Sequence, residues 1–481
     1  MTTTLLLALL LAGSAPVKNP SLRMVTLGGG PAPEMNQVAI ESNVRYVSSI
    51  LPRGVQHTVL FADGTKDRPT VQFEARPDEL SSGAKIVRGL FGDGPGHGKG
   101  SPWLRYRPTS LQSIDGPLVK STVKAAFTQL AGESYKLPLL LYFTGHGSPN
   151  NSNLENNWMD LWNHGQFTVS DLKDELKKLP TRRPVTLIMV QCHSGAFANL
   201  VLDPELQGRP LCGFFAAPKE RVAAGCTPSV LEEDYKDFTG YFFAALTGKD
   251  RLGRPVAKPD YNKDGKVGGD EALAYAQMVD DSIDVPLCTS DVLLRKGMEG
   301  AETDMSFTEL PFSEVRAQGS PLQKRILDSL REKLGERAAG EDCLRVAVSE
   351  IKQRGLNGMS TRLLLDRATS ETLNSGRSTL SERFPGLRSR SSSEWMSAAT
   401  EAVAYLDGDE SVRQPLLAAI TAREVAEKRT SEDEIFGARM LRLLRTAKTI
   451  YLENKLRKSG DKAVLSRFLS LRKQEAAPPL E

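Results

Sequence analysis

The chain has 481 residues, more than one ordinary core organises, so two or three domains are expected. Hydrophobic residues make up 40% and charged residues 25%, which excludes a disordered or membrane-embedded chain and fits a globular one. A formal net charge of +3 singles out no class of partner, and nucleic acid is not expected as one; the charge is uneven, with +6 in 311–481 and −3 before it.

The start, Met1-Thr2-Thr3-Thr4 followed by the apolar run Leu5–Ala12, has the pattern of a secretory signal, and Gly13-Ser14-Ala15 supplies small residues for cleavage. It implies export to the periplasm or beyond. A buried N-terminal segment in a cytoplasmic protein is the alternative. The run is shorter than the about 20 residues a membrane-crossing helix takes, and no later stretch predicts a transmembrane segment.

From about Met24 to Ser290 strand-like and helix-like segments alternate. Met24–Leu27 is a short apolar strand ending in Gly28-Gly29-Gly30-Pro31. These glycines lack nucleotide-binding spacing, and no organic cofactor is expected. Val38, Ile40, Val44, Val47 and Leu51 recur at helical spacing, and Thr58–Phe61 reads as a second strand. Residues 64–115 are rich in Gly, Pro and Arg and read as a long surface insertion. Val119, Val123, Phe127 and Leu130 mark a helix, and Leu137–Phe143 a continuous apolar strand. Val169, Leu172, Leu176 and Leu179 mark another helix, with Ser170 or Thr168 as its cap. Val185–Val190 and Leu211–Ala216 are further buried strands. Unbroken apolar strands alternating with helices imply an α/β domain over 22–300, a mostly parallel sheet covered on both faces.

A linker is expected at 301–320. Beyond it, 321–481 turns Arg/Leu/Glu/Ala-rich and helical in period, predicting a C-terminal helical domain, open to an unknown partner. Gly376–Ser393 reads as a flexible break in that domain. Within 436–473, Phe436, Met440, Leu443, Ala447 and Tyr451 form an apolar stripe beside eleven Lys/Arg and two acids, read as one helix of a bundle.

Two stretches carry the chemistry: Tyr142-Phe143-Thr144-Gly145-His146-Gly147-Ser148 and Gln191-Cys192-His193-Ser194-Gly195. Each follows an apolar strand, so a histidine and a cysteine fall beyond the carboxyl ends of two core strands, where parallel sheets bind ligands. A thiol needs a base beside it to attack a carbonyl, and a histidine supplies the base and later the proton for the leaving amine. The N–H groups of Gly147 and Cys192 are candidates for an oxyanion hole. His193 is the rival base, but as Cys192's neighbour it faces away from Cys192's partner. The five cysteines, Cys192, Cys212, Cys226, Cys288 and Cys343, show no CxxC spacing, so neither zinc nor a dense disulfide framework is expected. Their odd number leaves one thiol free, for which Cys192 is the candidate. Cys212 and Cys226 would pair only in an exported protein; plain buried thiols are the expected state.

These two stretches resemble the clan CD cysteine peptidases (caspases, metacaspases, legumains and bacterial relatives) over roughly residues 22–295. The resemblance implies the caspase/hemoglobinase fold, with a mostly parallel sheet between helices. It implies His146 as base, Cys192 as nucleophile, the amides of Gly147 and Cys192 as oxyanion donors, and a protein or peptide as substrate. The chain departs from that pattern at Val190, where metacaspases and legumains carry an acid, and in the glycines and proline that end its first strand. The layout of Phe215–Pro218, Cys226 and Asp237–Phe242 is similar to legumains, which implies Asp237, with Asp234 as runner-up, in the pocket for the residue before the cut bond. Lacking an evident partner arginine, Asp237 leans the preference toward a basic residue. The same chemistry supports a legumain-like transamidase or ligase. A catalytically inactive scaffold serving as a calcium-dependent binding module is the alternative of another class.

Residues 260–271 match an EF-hand-type calcium loop: oxygen ligands Asp260, Asn262, Asp264 and Glu271, the Lys266 carbonyl, and Gly265 at the sharp turn. The preceding Arg251–Pro259 does not read as a helix, so the loop is a single, dockerin-like half. Ca2+ is therefore expected, in a structural or regulatory role.

Overall fold

The structure, a computed structural model, describes residues 21–74, 79–92, 103–133, 137–354 and 365–481. The N-terminal signal-like run lies outside them. Among the described residues the strands are β1 (Arg23–Gly29), β2 (Gln56–Phe61), β3 (Val71–Glu74), β4 (Leu104–Arg107), β5 (Leu139–Gly145), β6 (Gly147–Ser148), β7 (Trp158–Leu161), β8 (Gly165–Thr168), β9 (Val185–Met189), β10 (Leu211–Phe215) and β11 (Leu287–Cys288). The helices around them are α1 (Val38–Ile50), α2 (Ser82–Phe91), α3 (Lys120–Gly132), α4 (Val169–Lys178), α5 (Phe238–Thr247), α6 (Gly269–Val279) and α7 (Thr289–Lys296).

Six strands form the central sheet in the order β11-β10-β9-β5-β1-β2. All neighbours are parallel except β10 and β11. The apolar runs are unbroken because both faces are covered. Leu139, Leu141, Phe143, Leu187 and Met189 pack toward α3, α4 and α7, while Leu140, Tyr142, Ile188 and Val190 pack toward α1, α5 and α6. Helix α4 starts at Thr168, whose hydroxyl accepts the Asp171 N–H while the Asp171 carboxylate accepts the Thr168 N–H. A small antiparallel sheet, β6-β7-β8, grows directly out of the end of β5.

The C-terminal helices are α8 (Phe312–Gln318), α9 (Pro321–Leu334), α10 (Cys343–Arg354), α11 (Arg367–Arg383), α12 (Ser392–Gly408), α13 (Glu410–Ser459) and α14 (Lys462–Glu475). The expected linker at 301–320 is instead ordered core: Phe307, Phe312 and Val315 are buried against α9, α10 and α13. The expected break at Gly376–Ser393 narrows to the short turn between α11 and α12. Helix α13 has 50 residues, about 75 Å at 1.5 Å per residue. Its first part packs on α2, α11 and α12, and its last part on α8, α9 and α10. No helix among the described residues is long and apolar enough to cross a membrane.

The helical region does not stand apart from the sheet. Leu452, Leu456, Phe468 and Leu471 complete the core on one sheet face. Glu475, at the end of α14, accepts the Ser290 N–H at 2.7 Å and the hydroxyls of Ser290 and Thr289 at 2.6 and 2.8 Å, capping α7 from a distance. The 64–115 stretch is likewise more than a surface insertion. It contributes β3, β4 and α2, and the helical region satisfies both ends of α2. Asp407 accepts the Gly83 N–H at 2.7 Å, and Arg423 and Arg377 donate to the carbonyls of Gly89 and Leu90. Opposite charges at the two helix ends also suit its dipole.

Gly89 lies against Ile420, and a Cβ there would overlap the Ile420 side chain. Gly89→Val is expected to destabilise the protein by about 1–3 kcal/mol through overpacking. Thermal melting measures this, and an unchanged melting temperature would show that α2 is not docked as described.

Candidate functional site

The two chemistry-bearing stretches meet because their strands are neighbours. In the β5–β9 register Phe143 pairs with Met189. His146 and Cys192 each stand three residues beyond that pair, at the same level past the strand ends. Within the strands the face follows from the period of two. Leu140 and Tyr142 share a core with Ile188 and Val190 on the side of α1 and α5; past the strand ends the His146 ring meets the β1–α1 connection and the Cys192 sulfur meets Ala223.

The histidine is oriented from the β1–α1 connection. Its Nε2 lies 2.9 Å from the Met35 carbonyl and 2.9 Å from Gln37 Oε1. A carbonyl only accepts, so Nε2 carries the proton and Nδ1 holds the free lone pair. Among the described residues no hydrogen bond occupies Nδ1, and none joins the ring to the Cys192 sulfur. The three glycines at the end of β1, Gly28 to Gly30, make this arrangement sterically open. A Cβ on Gly30 would collide with the Met35 carbonyl, and the Gly30 N–H donates to Asn36 Oδ1 at 3.1 Å. The glycine run thus serves close packing. Burial lowers the His146 pKa from its ordinary 6.5, with the Met35 hydrogen bond acting the other way. The ring is a neutral base at pH 7.

The Cys192 sulfur accepts the Ala223 N–H at 3.2 Å and donates to the Ala223 carbonyl at 3.6 Å. Burial pushes its thiol up to about 12, the Ala223 amide pulling weakly the other way. The resting pair is therefore thiol and imidazole, not thiolate and imidazolium.

Asp160 N–H donates to the His146 carbonyl at 3.0 Å, which makes His146 and Asp160 the bonded pair of the β6–β7 ladder. Gly147 and Met159 are then a non-bonded pair, so the Gly147 N–H points away from β7. A Cβ on Gly147 would strike the Cys192 carbonyl, so only glycine lets the two stretches approach this closely. The Cys192 N–H makes no backbone hydrogen bond to another described residue. The Cys192 N–H lies against its own sulfur.

His193 is held elsewhere, as expected. It adopts a left-handed backbone (φ 60°), its Nδ1 bonds the Lys219 carbonyl at 3.0 Å, and its N–H donates to the Arg221 carbonyl at 2.8 Å.

Asp237 requires a correction. It is 1% exposed and caps α5, accepting the Gly240 N–H at 2.8 Å. It also accepts Asn43 Nδ2 at 2.7 Å and pairs with Arg251 at 3.2 Å. Arg251, which lies between α5 and the 260–271 loop, is stacked between the rings of Tyr46 and Tyr235. The arginine partner that no local pattern predicts is thus present, and it removes the ground for a lean toward a basic residue. Asp234 is exposed on a short turn and accepts the Ser229 hydroxyl.

The 260–271 loop folds back on its own amides. Asp260 accepts the N–H groups of Asp264 and Gly265 at 3.1 and 3.0 Å, Asn262 that of Asp264 at 2.8 Å, and Asp264 that of Lys266 at 2.9 Å. Gly265 has φ +87°, the left-handed turn expected there. Glu271 differs from expectation: its carboxylate accepts the N–H groups of Tyr261, Asn262 and Gly268. Among the described residues no three His, Cys, Asp or Glu side chains are grouped to hold a metal ion. All five cysteines are free, so Cys212 and Cys226 are not paired.

No family model matches the chain, and no curated protein matches it. Among solved structures, a structural genomics target protein from Geobacter sulfurreducens aligns with 55% of this chain and 92% of its own, at 13% identity and a TM-score of 0.31. That likeness is too slight to bear on fold or function.

Gln37→Ala removes one of the two acceptors at His146 Nε2. Acceptors favour the protonated ring, so its titration, followed by NMR of the ring protons, is expected to move down from the wild-type value, itself below 6.5. An unmoved or raised value would show that Gln37 does not hold the ring.

Proposed function

We propose that the protein is a cysteine endopeptidase of the clan CD type, acting through His146 and Cys192 on protein or peptide substrates. One observation carries this: His146 and Cys192 follow adjacent parallel strands, each three residues past the Phe143–Met189 pair, and no hydrogen bond among the described residues occupies His146 Nδ1. The mostly parallel sheet between helices is the architecture that the sequence resemblance implies.

In this reading the Cys192 sulfur attacks the scissile carbonyl carbon while its proton passes to His146 Nδ1. The carbonyl oxygen becomes an oxyanion held by the N–H groups of Gly147 and Cys192. Collapse breaks the C–N bond, and His146 returns the proton to the leaving amine. Water then attacks the thioester, gives a proton to His146, and releases a carboxylic acid and the free thiol. An amine in place of water would give a new peptide bond, the transamidase outcome.

A second reading, an inactive scaffold, is favoured by one feature. The thiol is pushed up to about 12 and no hydrogen bond ties it to the imidazole.

A peptide panel varied at the residue before the scissile bond separates these readings. Wild type is expected to cleave, Cys192→Ala and His146→Ala to lose at least about 10³-fold in kcat/KM. Cleavage that survives in Cys192→Ala, or none in wild type, sinks the peptidase. Because burial depresses the His146 pKa, the neutral base persists to lower pH. The acid limb of kcat/KM should therefore fall below 6.5. A limb above 6.5 would contradict the assignment of His146.

Calcium at 260–271 belongs to the same proposal. The donors are all oxygen (Asp260, Asn262, Asp264, Glu271 and the Lys266 carbonyl); each carboxylate oxygen of Asp260 and Asp264 accepts one N–H and retains a lone pair, whereas Glu271 Oε1 accepts two and must release them to bind an ion. The ion would supply charge that gathers these side chains, and this chain's part is to turn the Glu271 carboxylate from its amides toward the loop. Calcium is expected to raise the melting temperature of wild type, and Glu271→Gln to abolish that rise. Identical melts with calcium and with chelator would remove calcium from the reading.

A further inference from the structure

We propose that Arg442, on α13, is a positioning residue for Cys192: it locks the 280–284 turn, which in turn holds the two segments that grip the cysteine. The proposal deepens the reading above, because it takes Cys192 as the nucleophile.

The Arg442 side chain is 1% exposed. Its Nη1 donates to the Asp280 carbonyl at 2.6 Å, Nη2 to the Ser282 carbonyl at 3.0 Å and Nε to the Asp284 carbonyl at 2.7 Å. One planar fork therefore satisfies three alternate carbonyls of one turn, a fit that a single ammonium lacks. The Asp280 carboxylate stands 3.6 Å from the same guanidinium. Within the turn, Asp280 accepts the Ser282 N–H and Ser282 accepts the Asp284 N–H, so the fork and the turn form one rigid piece.

The other side of the turn faces the cysteine. Asp284 accepts the Ala224 N–H at 2.7 Å and the Phe238 N–H at 3.0 Å. Ala224 follows Ala223, whose N–H and carbonyl bracket the Cys192 sulfur. A second link runs through Arg221, which reaches the Ile283 carbonyl at 3.5 Å while its own carbonyl accepts the His193 N–H at 2.8 Å. The turn thus controls both the segment in front of the sulfur and the residue after it. Since Arg442 projects from α13, the helical region becomes a brace for the catalytic loop. Asp280 and Asp284 are fully buried, and burial pushes both carboxyl pKa values up, with the Arg442 guanidinium acting the other way.

Arg183 provides the control. It is equally buried (0% exposed) and donates to the carbonyls of Leu130 and Leu137 and to Glu133, but it precedes β9 at the opposite end from Cys192. The test measures iodoacetamide alkylation of Cys192 against pH in the full chain, read by mass spectrometry of the peptide that carries it. Wild type should react slowly, its thiol pushed up to about 12 by burial. In Arg442→Lys the bracket loosens and water reaches the sulfur; relief of burial, the larger effect, outweighs the lost Ala223 hydrogen bond, so alkylation at pH 8 should quicken severalfold. Arg183→Lys should leave the rate as in wild type. The proposal is overturned if Arg442→Lys reproduces the wild-type profile, or if Arg183→Lys shifts it equally. Should Arg442→Lys lack a cooperative melt, Asp284→Asn loosens the same bracket with the fork intact and is judged by the same outcomes. Alkylation needs no peptidase activity. If wild type cleaves nothing, the peptidase reading fails while the alkylation result stands; if it cleaves, Arg442→Lys should lower kcat more than it alters KM.

Discussion

The pairing of β5 with β9 is the constraint on which the site depends. Parallel strands place their carboxyl ends at one edge, and the Phe143–Met189 register sets His146 and Cys192 level there. A slip of one residue would turn either side chain to the other face. The slip is opposed along the whole length of both strands, because each bears apolar side chains that must enter two different cores. Site geometry is thereby secured by the hydrophobic pattern of the sheet rather than by any bond between the two residues.

Past the strand ends the backbone has no ladder to follow, and other elements hold it. The histidine is oriented by the Met35 carbonyl, brought close by the absence of a side chain at Gly30. The cysteine is oriented by Ala223, and Ala223 by a turn that α13 clamps. These supports are polar and buried, which makes them directional. An apolar contact would tolerate a rotated ring or thiol; a carbonyl at 2.9 Å from Nε2 does not. The same logic joins the helical region to the rest of the molecule, through Glu475 at α7, Asp407 at α2 and Arg442 at the 280–284 turn.

What can be read in the sequence divides along this line. The strands leading to His146 and Cys192 are legible because an apolar run closed by glycine is the pattern of a buried strand and of little else. The covering helices are legible from their period. Asp237 falls in the right neighbourhood but in the wrong role, because Arg251 and Asn43 reach it from fourteen and nearly two hundred residues away. No local pattern reports such a partner. Arg442 is hidden for the same reason: within α13 it is one of many basic residues, and only the packing of that helix shows that its charge is buried. The 301–320 stretch misleads because glycine and polar residues mark it as a linker, while Phe307, Phe312 and Val315 insert into a core built mostly by residues that follow. Composition describes a segment; burial depends on what arrives later in the chain.

The electrostatics of the pair bear on how such a site would work. Burial raises the thiol to about 12 and depresses the imidazole below 6.5, so both effects favour the neutral pair. Proton transfer in the resting state therefore runs uphill. A preformed thiolate is therefore not what this environment stabilises. Charge separation becomes accessible only when something new enters the site. In the proposed reaction a peptide carbonyl would provide it, the negative charge leaving sulfur for an oxygen beside the proposed donors Gly147 and Cys192. It also requires the sulfur to exchange its contacts with Ala223 for contact with the substrate. The Ala223 bracket is thus both what protects the resting thiol and what must yield for reaction.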